Sequence, residues 1–257
     1  SAGWYNQAIA VDPLDPEVVW VGGMGLYRSD NAGRNFGKAS YWYNFNVNST
    51  GVHADLHLLR FDPRYDGVEN RRLFARNDGG IALTDNPDGA TSTTLDAACD
   101  PMPGDLVAWR DSSFGLGTLQ FYTGAVSADG NIQLGGSQDN GTQLGLFGRP
   151  DVWFFIYGGD GAGVAIDPRD PNTLYFSAQR INLVRSDDGG LSVSDATNGL
   201  VDQTIFIMPY VLDHAAPDRL YAGGTRIWRT DDQGRQWRPI STRLGAAPCP
   251  RERPAAR

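Results

Sequence analysis

His53, Asp55 and His57 stand at alternate positions and are the side chains in this chain best spaced to do chemistry together. On a strand, residues two apart share a face, so the row would offer two imidazoles and a carboxylate to one side. Such a set can chelate zinc, with the carboxylate as ligand or orienting group. The outer two Cα atoms would lie roughly 13 Å apart by strand rise, too far for one ion to meet all three. Neither a metal nor another cofactor is therefore expected, and hydrogen bonding or ligand contact is the expected use of these residues. Asp160, inside the run Gly158-Gly159-Asp160-Gly161-Ala162-Gly163, is the other well-placed carboxylate. An inverting glycoside hydrolase needs two carboxyl groups about 6.5–9.5 Å apart across a sugar cleft, and Asp55 with Asp160 is the pair this sequence offers as acid and base. The glycine run precedes a strand rather than a helix, so no helix N-terminus would face a phosphate there. No Ser-His-Asp order, nucleophile elbow, phosphate loop or dinucleotide fingerprint occurs.

A repeat must position these residues. Ser29-Asp30-Asn31-Ala32-Gly33-Arg34-Asn35-Phe36, Ser186-Asp187-Asp188-Gly189-Gly190-Leu191-Ser192-Val193 and Thr230-Asp231-Asp232-Gln233-Gly234-Arg235-Gln236-Trp237 share one pattern. A hydroxyl ends a strand, an Asp or Asn folds onto turn N–H groups, and Gly takes positive φ. A large apolar residue (Phe36, Val193 or Trp237) is then expected to plug the core. Each staple closes a longer unit: an apolar strand ending in Asp-Pro or its equivalent, a second strand, a Gly-containing turn and a third strand. Asp12, Asp62, Asp129, Asp167 and Asp213 mark five units. The second has a distorted staple at Thr84–Gly89, and the third has none. Four short antiparallel strands per unit make a propeller blade, and the marker spacing suits about 40–50 residues per blade.

These staples are Asp-box, or BNR, repeats, and the chain over roughly residues 3 to 240 resembles the bacterial sortilin-like, BNR-repeat family of secreted β-propellers. Further stretches that carry the resemblance are Gly3-Trp4-Tyr5-Asn6, Val52-His53-Ala54-Asp55-Leu56-His57 and Gly136-Ser137-Gln138-Asp139-Asn140-Gly141-Thr142. The resemblance implies the fold and leaves function open, because sialidases, xyloglucanases, sorting receptors and assembly factors all carry such boxes. In the boxes, Ser29, Asn31, Gly33, Phe36, Ser186, Asp188, Gly190, Thr230, Asp232, Gly234 and Trp237 are expected to be structural. The expected blades span 3–50, 51–98, 118–158, 159–203 and 204–244, without a domain break. The tail 245–257 is rich in Pro and Arg and expected to be poorly ordered. Residues 91–118 read as a surface excursion between blades. Relatives usually have seven or more blades, so an arc with blades outside these residues is expected rather than a closed ring of five.

In a propeller, the entrances to first strands and the turns between second and third strands share one face, where ligands usually bind. That face collects Trp4, Tyr5, Asn6, Gln7, His53, Asp55, His57, Asn77, Asp78, Gln120, Tyr122, Gln138, Asp139, Asn140, Asp160, Gln179, Arg180 and Arg226. Amides, carboxylates, imidazoles and aromatic rings suit a sugar or a peptide. Turn satisfaction is the competing use for Asn77-Asp78 and Asp139-Asn140. A sialidase site is excluded by its need for a convergent Glu. Glu17 and Glu69 fall in turns of the opposite face, and Glu252 lies in the tail.

The chain has 257 residues and a formal net charge of −8, with Lys38 its only lysine. No basic stripe offsets that charge, which argues against duplex nucleic acid. No apolar run is long enough to span a membrane. Cys99 and Cys249 could pair outside the cytoplasm. The expected function is an extracellular or periplasmic binding module for a polysaccharide or a protein. The alternatives are a xyloglucanase-like hydrolase and an architectural segment, in which Tyr41-Trp42-Tyr43 with Phe45 and Trp153-Phe154-Phe155 would cover interfaces.

Overall fold

The computed structural model describes residues 5–42, 51–92, 107–117, 119–149 and 151–244. Trp4, Tyr43, Phe45, both cysteines and the tail 245–257 lie outside the described residues. Within them the chain is all-β, with five four-stranded antiparallel sheets built as β-propeller blades. Two compact units divide it, Ser1–Thr118 and Leu119–Arg257. The division falls at the start of the third blade.

The first unit holds two blades. Blade 1 is β1 (Ala8–Val11), β2 (Val19–Gly22), β3 (Leu26–Ser29) and β4 (Gly37–Ser40). Blade 2 is β5 (Leu56–Phe61), β6 (Leu73–Asn77), β7 (Gly80–Thr84) and β8 (Arg110–Asp111). Strands β1 and β2 pack on β5, and Trp20, Leu26, Leu56, Leu59, Phe61 and Trp109 form one core between the blades.

The second unit holds three. Blade 3 is β9 (Phe121–Val126), β10 (Ile132–Ser137), β11 (Gly141–Leu146) and β12 (Trp153–Tyr157). Blade 4 is β13 (Val164–Ile166), β14 (Leu174–Ser177), β15 (Leu183–Ser186) and β16 (Ser194–Asp195). Blade 5 is β17 (Tyr210–Leu212), β18 (Leu220–Gly223), β19 (Ile227–Thr230) and β20 (Arg238–Pro239). Blade 3 meets blade 4 so closely that a Cβ on Gly136 would sit 2.2 Å from the Ala162 carbonyl oxygen, which only glycine permits.

The three staples share one hydrogen-bond pattern. Ser29 Oγ accepts from Gly33 N at 2.8 Å and donates to Asn31 Oδ1 at 3.0 Å, and that amide oxygen accepts from Asn35 N at 2.9 Å. Ser186, Asp188, Gly190 and Ser192 repeat this at 2.8, 2.8 and 2.9 Å. Thr230, Asp232, Gly234 and Gln236 repeat it at 3.1, 2.6 and 2.9 Å. Gly33, Gly190 and Gly234 have φ of 80°, 93° and 86°, in the region that favours glycine. In blade 2, Thr84 Oγ1 still accepts from Asn86 N at 3.0 Å, but the extra residue sends Gly89 N to the Asn86 carbonyl at 3.1 Å.

Four expectations need correction. Of the apolar plugs only Trp237 is buried; its indole donates to the Ala196 carbonyl of blade 4 at 2.7 Å. Phe36 and Val193 are exposed. Phe36 has no preceding blade within its unit and instead lies over its own Gly33. The third marker is Ser127 rather than Asp129. Ser127 N donates to the Ile132 carbonyl at 2.9 Å, as Asp12, Asp62, Asp167 and Asp213 do to their second strands at 2.9–3.0 Å. Asp129 instead satisfies Asn131. The stretch 91–118 is no mere surface excursion. Ser92 exchanges two backbone hydrogen bonds of 2.8 Å with Lys38, Val107 and Trp109 are buried, and Arg110–Asp111 is the fourth strand of blade 2. Blade 2 therefore runs past residue 98.

Truncating Trp237→Ala should cost about 3–5 kcal/mol, the range for a buried aromatic, whereas Phe36→Ala should cost less than about 1 kcal/mol. Urea denaturation of each purified variant checks this ordering. Equal costs would remove Trp237 from the interblade core. The Asp188 carboxyl is held at about 2 by the Ser192 hydroxyl, then by the Ser192 N–H and the Ser186 hydroxyl. Because the folded value is depressed, the stability it contributes is present above the ordinary carboxylate value and lost as pH falls toward 2. Asn31 fills the same place in blade 1, so Asp188→Asn should keep the turn. It should also flatten the pH dependence of the urea midpoint between the ordinary value of 3.8 and about 2. An unchanged pH slope would show that this carboxylate contributes nothing to acid lability.

Candidate functional site

In the first unit, the entrances to β1 and β5 and the β6–β7 turn come together. Asp78 in that turn is the hub. Its Oδ2 accepts from the Tyr5 hydroxyl at 3.0 Å and its Oδ1 pairs with His57 Nε2 at 2.6 Å. The Tyr5 and His57 rings meet edge to face, with centroids 4.9 Å apart. Beside them Asn6 Nδ2 donates to Asp55 Oδ1, and carboxylate oxygens of Asp55 and Asp78 lie within 4.8 Å of each other. Tyr5 is exposed, His57 and Asp78 are half-buried, and Asn6 is buried. A cavity of about 220 Å³ adjoins this edge, lined among others by His53, Asn77, Asp111 and Ser113.

The alternating row expected of His53, Asp55 and His57 does not form. Strand β5 begins at Leu56, Asp55 takes a left-handed φ of 62°, and the ladder is irregular between Leu56 and Leu58. The three side chains turn to different partners. His53 Nδ1 meets the Ala54 carbonyl at 3.0 Å, Asp55 meets Asn6 and His57 meets Asp78. Asp78 is expected on this face, with turn satisfaction as its competing use; that it joins Tyr5 and His57 is not visible in the sequence. Nothing in the local sequence around Asp78 points to Tyr5, which lies 73 residues away.

In the second unit, the β10–β11 turn holds Gln138, Asp139 and Asn140, and the β14–β15 turn holds Arg180. Asp139 and Arg180 take left-handed φ of 59° and 63°. With Asp55, these are three of the five non-glycine residues in that region among the described residues, and the others, Ala32 and Gln233, sit in staples. Such backbone costs of order 1–3 kcal/mol and collects where function fixes a conformation. Asp160 is buried, and its Oδ1 accepts from Asp139 N at 3.1 Å. Asn140 Nδ2 donates to the Gln138 carbonyl at 2.9 Å, which is turn satisfaction. Tyr122 is exposed and stands close enough to Asp160 and Asp139 that partial burial first, then their charges, raise its hydroxyl pKa. It therefore stays a neutral donor. Gln120 and Arg180 are exposed.

Arg226 is half-buried and lines a separate cavity of about 320 Å³ with Val201, Asp202, Gln203, Thr225 and Arg243. Asp202, not singled out from the sequence, clamps this turn. It accepts from Gln203 N at 2.7 Å, Arg226 N at 2.8 Å and Trp228 Nε1 at 2.8 Å, and from Thr225 Oγ1. These donors hold its carboxyl well below the usual range against the opposing effect of burial, which is the largest single influence on it.

No protein-family model matches the sequence, and no curated protein matches it. Among solved structures, the chain is similar to a GH74 enzyme from Niastella koreensis, at 17% identity and TM-score 0.39 over 90% of this chain. It is also similar to the GH74 xyloglucanase from Xanthomonas campestris, at 19% identity and TM-score 0.38 over 89% of this chain. YCF48 bound to a D1 peptide aligns at 10% identity and TM-score 0.35 over 91% of this chain and 66% of its own. This chain spans 38% of the length of each GH74 chain.

Replacing Arg180 by Gly relieves its left-handed backbone without removing its N–H bond to the Phe206 carbonyl, 2.6 Å long. Arg180→Gly should therefore leave the urea midpoint unchanged or raise stability by up to about 1 kcal/mol. A clear destabilisation would mean the guanidinium itself supports the fold.

Proposed function

We propose that the chain is a secreted or periplasmic propeller module of the sortilin-like, Asp-box type that binds a polysaccharide at the edge where its first strands begin. The supporting observation is the Tyr5–Asp78–His57 group. It combines an exposed ring for stacking with a carboxylate and an imidazole already oriented by one another, at a rim beside a cavity. Sugars are recognised by this combination of an apolar face and a few fixed polar groups. In the second unit, Gln120, Tyr122, Gln138, Asp139 and Arg180 are the proposed counterparts. Asn6, Asn140 and Asp202 act behind them as supports, because their polar atoms already serve backbone or side-chain partners. A net charge of −8 favours a neutral or basic ligand over an acidic one.

A glycan array of neutral plant and microbial polysaccharides, followed by calorimetry on the best binder, tests the reading. Tyr5→Ala and Asp78→Ala should each weaken binding about tenfold or more, equivalent to about 1.4 kcal/mol, without lowering the urea midpoint comparably. Binding unaffected by both variants would move the ligand elsewhere, and capture of a peptide with no glycan binding would replace the polysaccharide by a protein partner. Release of reducing ends from the bound glycan would make the protein a hydrolase, with Asp55→Asn and Asp160→Asn as the variants expected to abolish it.

A further inference from the structure

Strand β6 buries every second residue, Leu73, Ala75 and Asn77, which are 0%, 0% and 7% exposed. Leu73 and Ala75 belong to the core shared by blades 1 and 2. Asn77, next along the same face, puts an amide where the row before it is apolar. Among the described residues that amide has no hydrogen-bond partner, so the turn satisfaction expected of it is not made. A buried amide left unpaired is costly, and a native fold that keeps one calls for an explanation. The amide is not sealed in by protein either, and the space it opens on is the cavity of about 220 Å³. Asp78, one residue on, turns to the rim instead, toward Tyr5 and His57.

The β6–β7 turn is cut to fit the walls of this cavity. A Cβ on Gly79 would lie 2.6 Å from His53 Cγ, and one on Gly80, whose φ is 130°, would lie 2.0 Å from Ser113 Oγ. Two consecutive glycines thus let both side chains close in. Ser113 is fixed there, its Oγ accepting from Ile81 N at 3.0 Å and its own N donating to Asp111 Oδ1 at 2.8 Å. Asp111 Oδ2 has no partner among the described residues. Val52, Ile81 and Ala82 make the lining partly apolar, and neither lysine nor arginine is among the described lining residues.

We propose that this cavity binds one neutral, hydroxyl-rich ring, a single sugar unit, and that Asn77 selects it. Asn77 offers a donor and an acceptor side by side, and Asp111 adds an acceptor, which suits neighbouring hydroxyl groups. The carboxylate and the lack of a cation disfavour an anion. The volume lies below the about 300–1,000 Å³ of pockets for drug-sized ligands, so it holds one ring rather than a chain. Water would satisfy the amide equally well, but it has no use for the apolar wall, whereas a sugar ring has an apolar face. The ring is a free monosaccharide or the end of a longer glycan. In the second case the inference deepens the polysaccharide reading of the adjoining rim and rests on it.

Calorimetry and ligand-observed NMR on the purified chain test this. The probes are glucose, galactose, mannose, xylose and arabinose as free rings, and neutral oligosaccharides of the same sugars as chain ends. At least one probe should bind in a one-to-one ratio and raise the urea midpoint. Asn77→Leu keeps a γ-branched shape and removes a polar group the fold does not pair, so the midpoint should stay or rise. The same variant should weaken binding about tenfold or more. Asp111→Asn keeps the acceptor for Ser113 N and should weaken binding several-fold at an unchanged midpoint. Free rings that bind with this dependence identify a monosaccharide site, and oligosaccharides alone that do so identify a chain end. Oligosaccharide binding lost in Tyr5→Ala but intact in Asn77→Leu leaves the rim reading standing and overturns this one. The reverse upholds the cavity and removes the rim. The proposal also falls if no probe binds, the cavity then holding water alone, or if Asn77→Leu clearly lowers the midpoint, the amide then serving the fold.

Discussion

A blade of four short strands has two apolar faces and too little thickness to bury either alone, so burial against a neighbouring sheet is the constraint that organises this chain. The core of the first unit is shared by blades 1 and 2, and Trp109, just before the late fourth strand of blade 2, meets Trp20 of blade 1 edge to face at 6.0 Å. In the second unit Tyr175 of blade 4 and Leu212, Trp228 and Trp237 of blade 5 belong to one cluster, tied by the Tyr210 hydroxyl donating to the Tyr175 carbonyl at 3.0 Å. Where a neighbour is present the sequence places large side chains, and where backbones meet it places glycine, as at Gly136. The candidate edge inherits its rigidity from these contacts, since its residues stand at the starts of strands and in the turns between them that such burial fixes.

The staples act on a different scale. Each closes a hairpin with local bonds between residues two to four apart, which need no tertiary partner, and so their pattern can be read directly from the sequence. This is why Ser29, Ser186 and Thr230 could be assigned to strand ends and Gly33, Gly190 and Gly234 to positive φ before any coordinates. Long-range events left weaker traces. The fourth strand of blade 2 lies 26 residues beyond Thr84, so a reading that expects a strand just after each staple overlooks Arg110–Asp111. Ser127 was overlooked as the third marker because Asp129 has the more typical residue type, while the backbone bond that defines the position carries no side-chain signature.

The candidate site divides along the same line. Topology placed the first-strand entrances and the second turns at one edge of each blade, and the residue types there were visible. Which side chains partner one another was not, because that depends on rotamers and backbone turns set by tertiary contacts. Period-two spacing predicted a shared face for His53, Asp55 and His57, but the strand starts only at Leu56, and the left-handed turn at Asp55 breaks the alternation. Asp78, expected on this face with turn satisfaction as the alternative, is the hub because strand pairing brings the β6–β7 turn beside the entrance to β5, where His57 and then Tyr5 can reach it.

Structural and functional carboxylates can be separated here by what they already bind. Asp12, Asp62, Asp167 and Asp213 each accept backbone N–H groups two residues on, and their places recur from blade to blade. That recurrence is what a folding requirement produces. Asp160 is of mixed character: buried, and accepting the Asp139 N–H, yet close to the exposed Tyr122. Asp78 uses both carboxylate oxygens on side chains of its own edge, Tyr5 and His57. Carboxylates held by side chains of one edge differ in this from those that recur at the strand markers, and the proposed reading is centred on Asp78 for that reason.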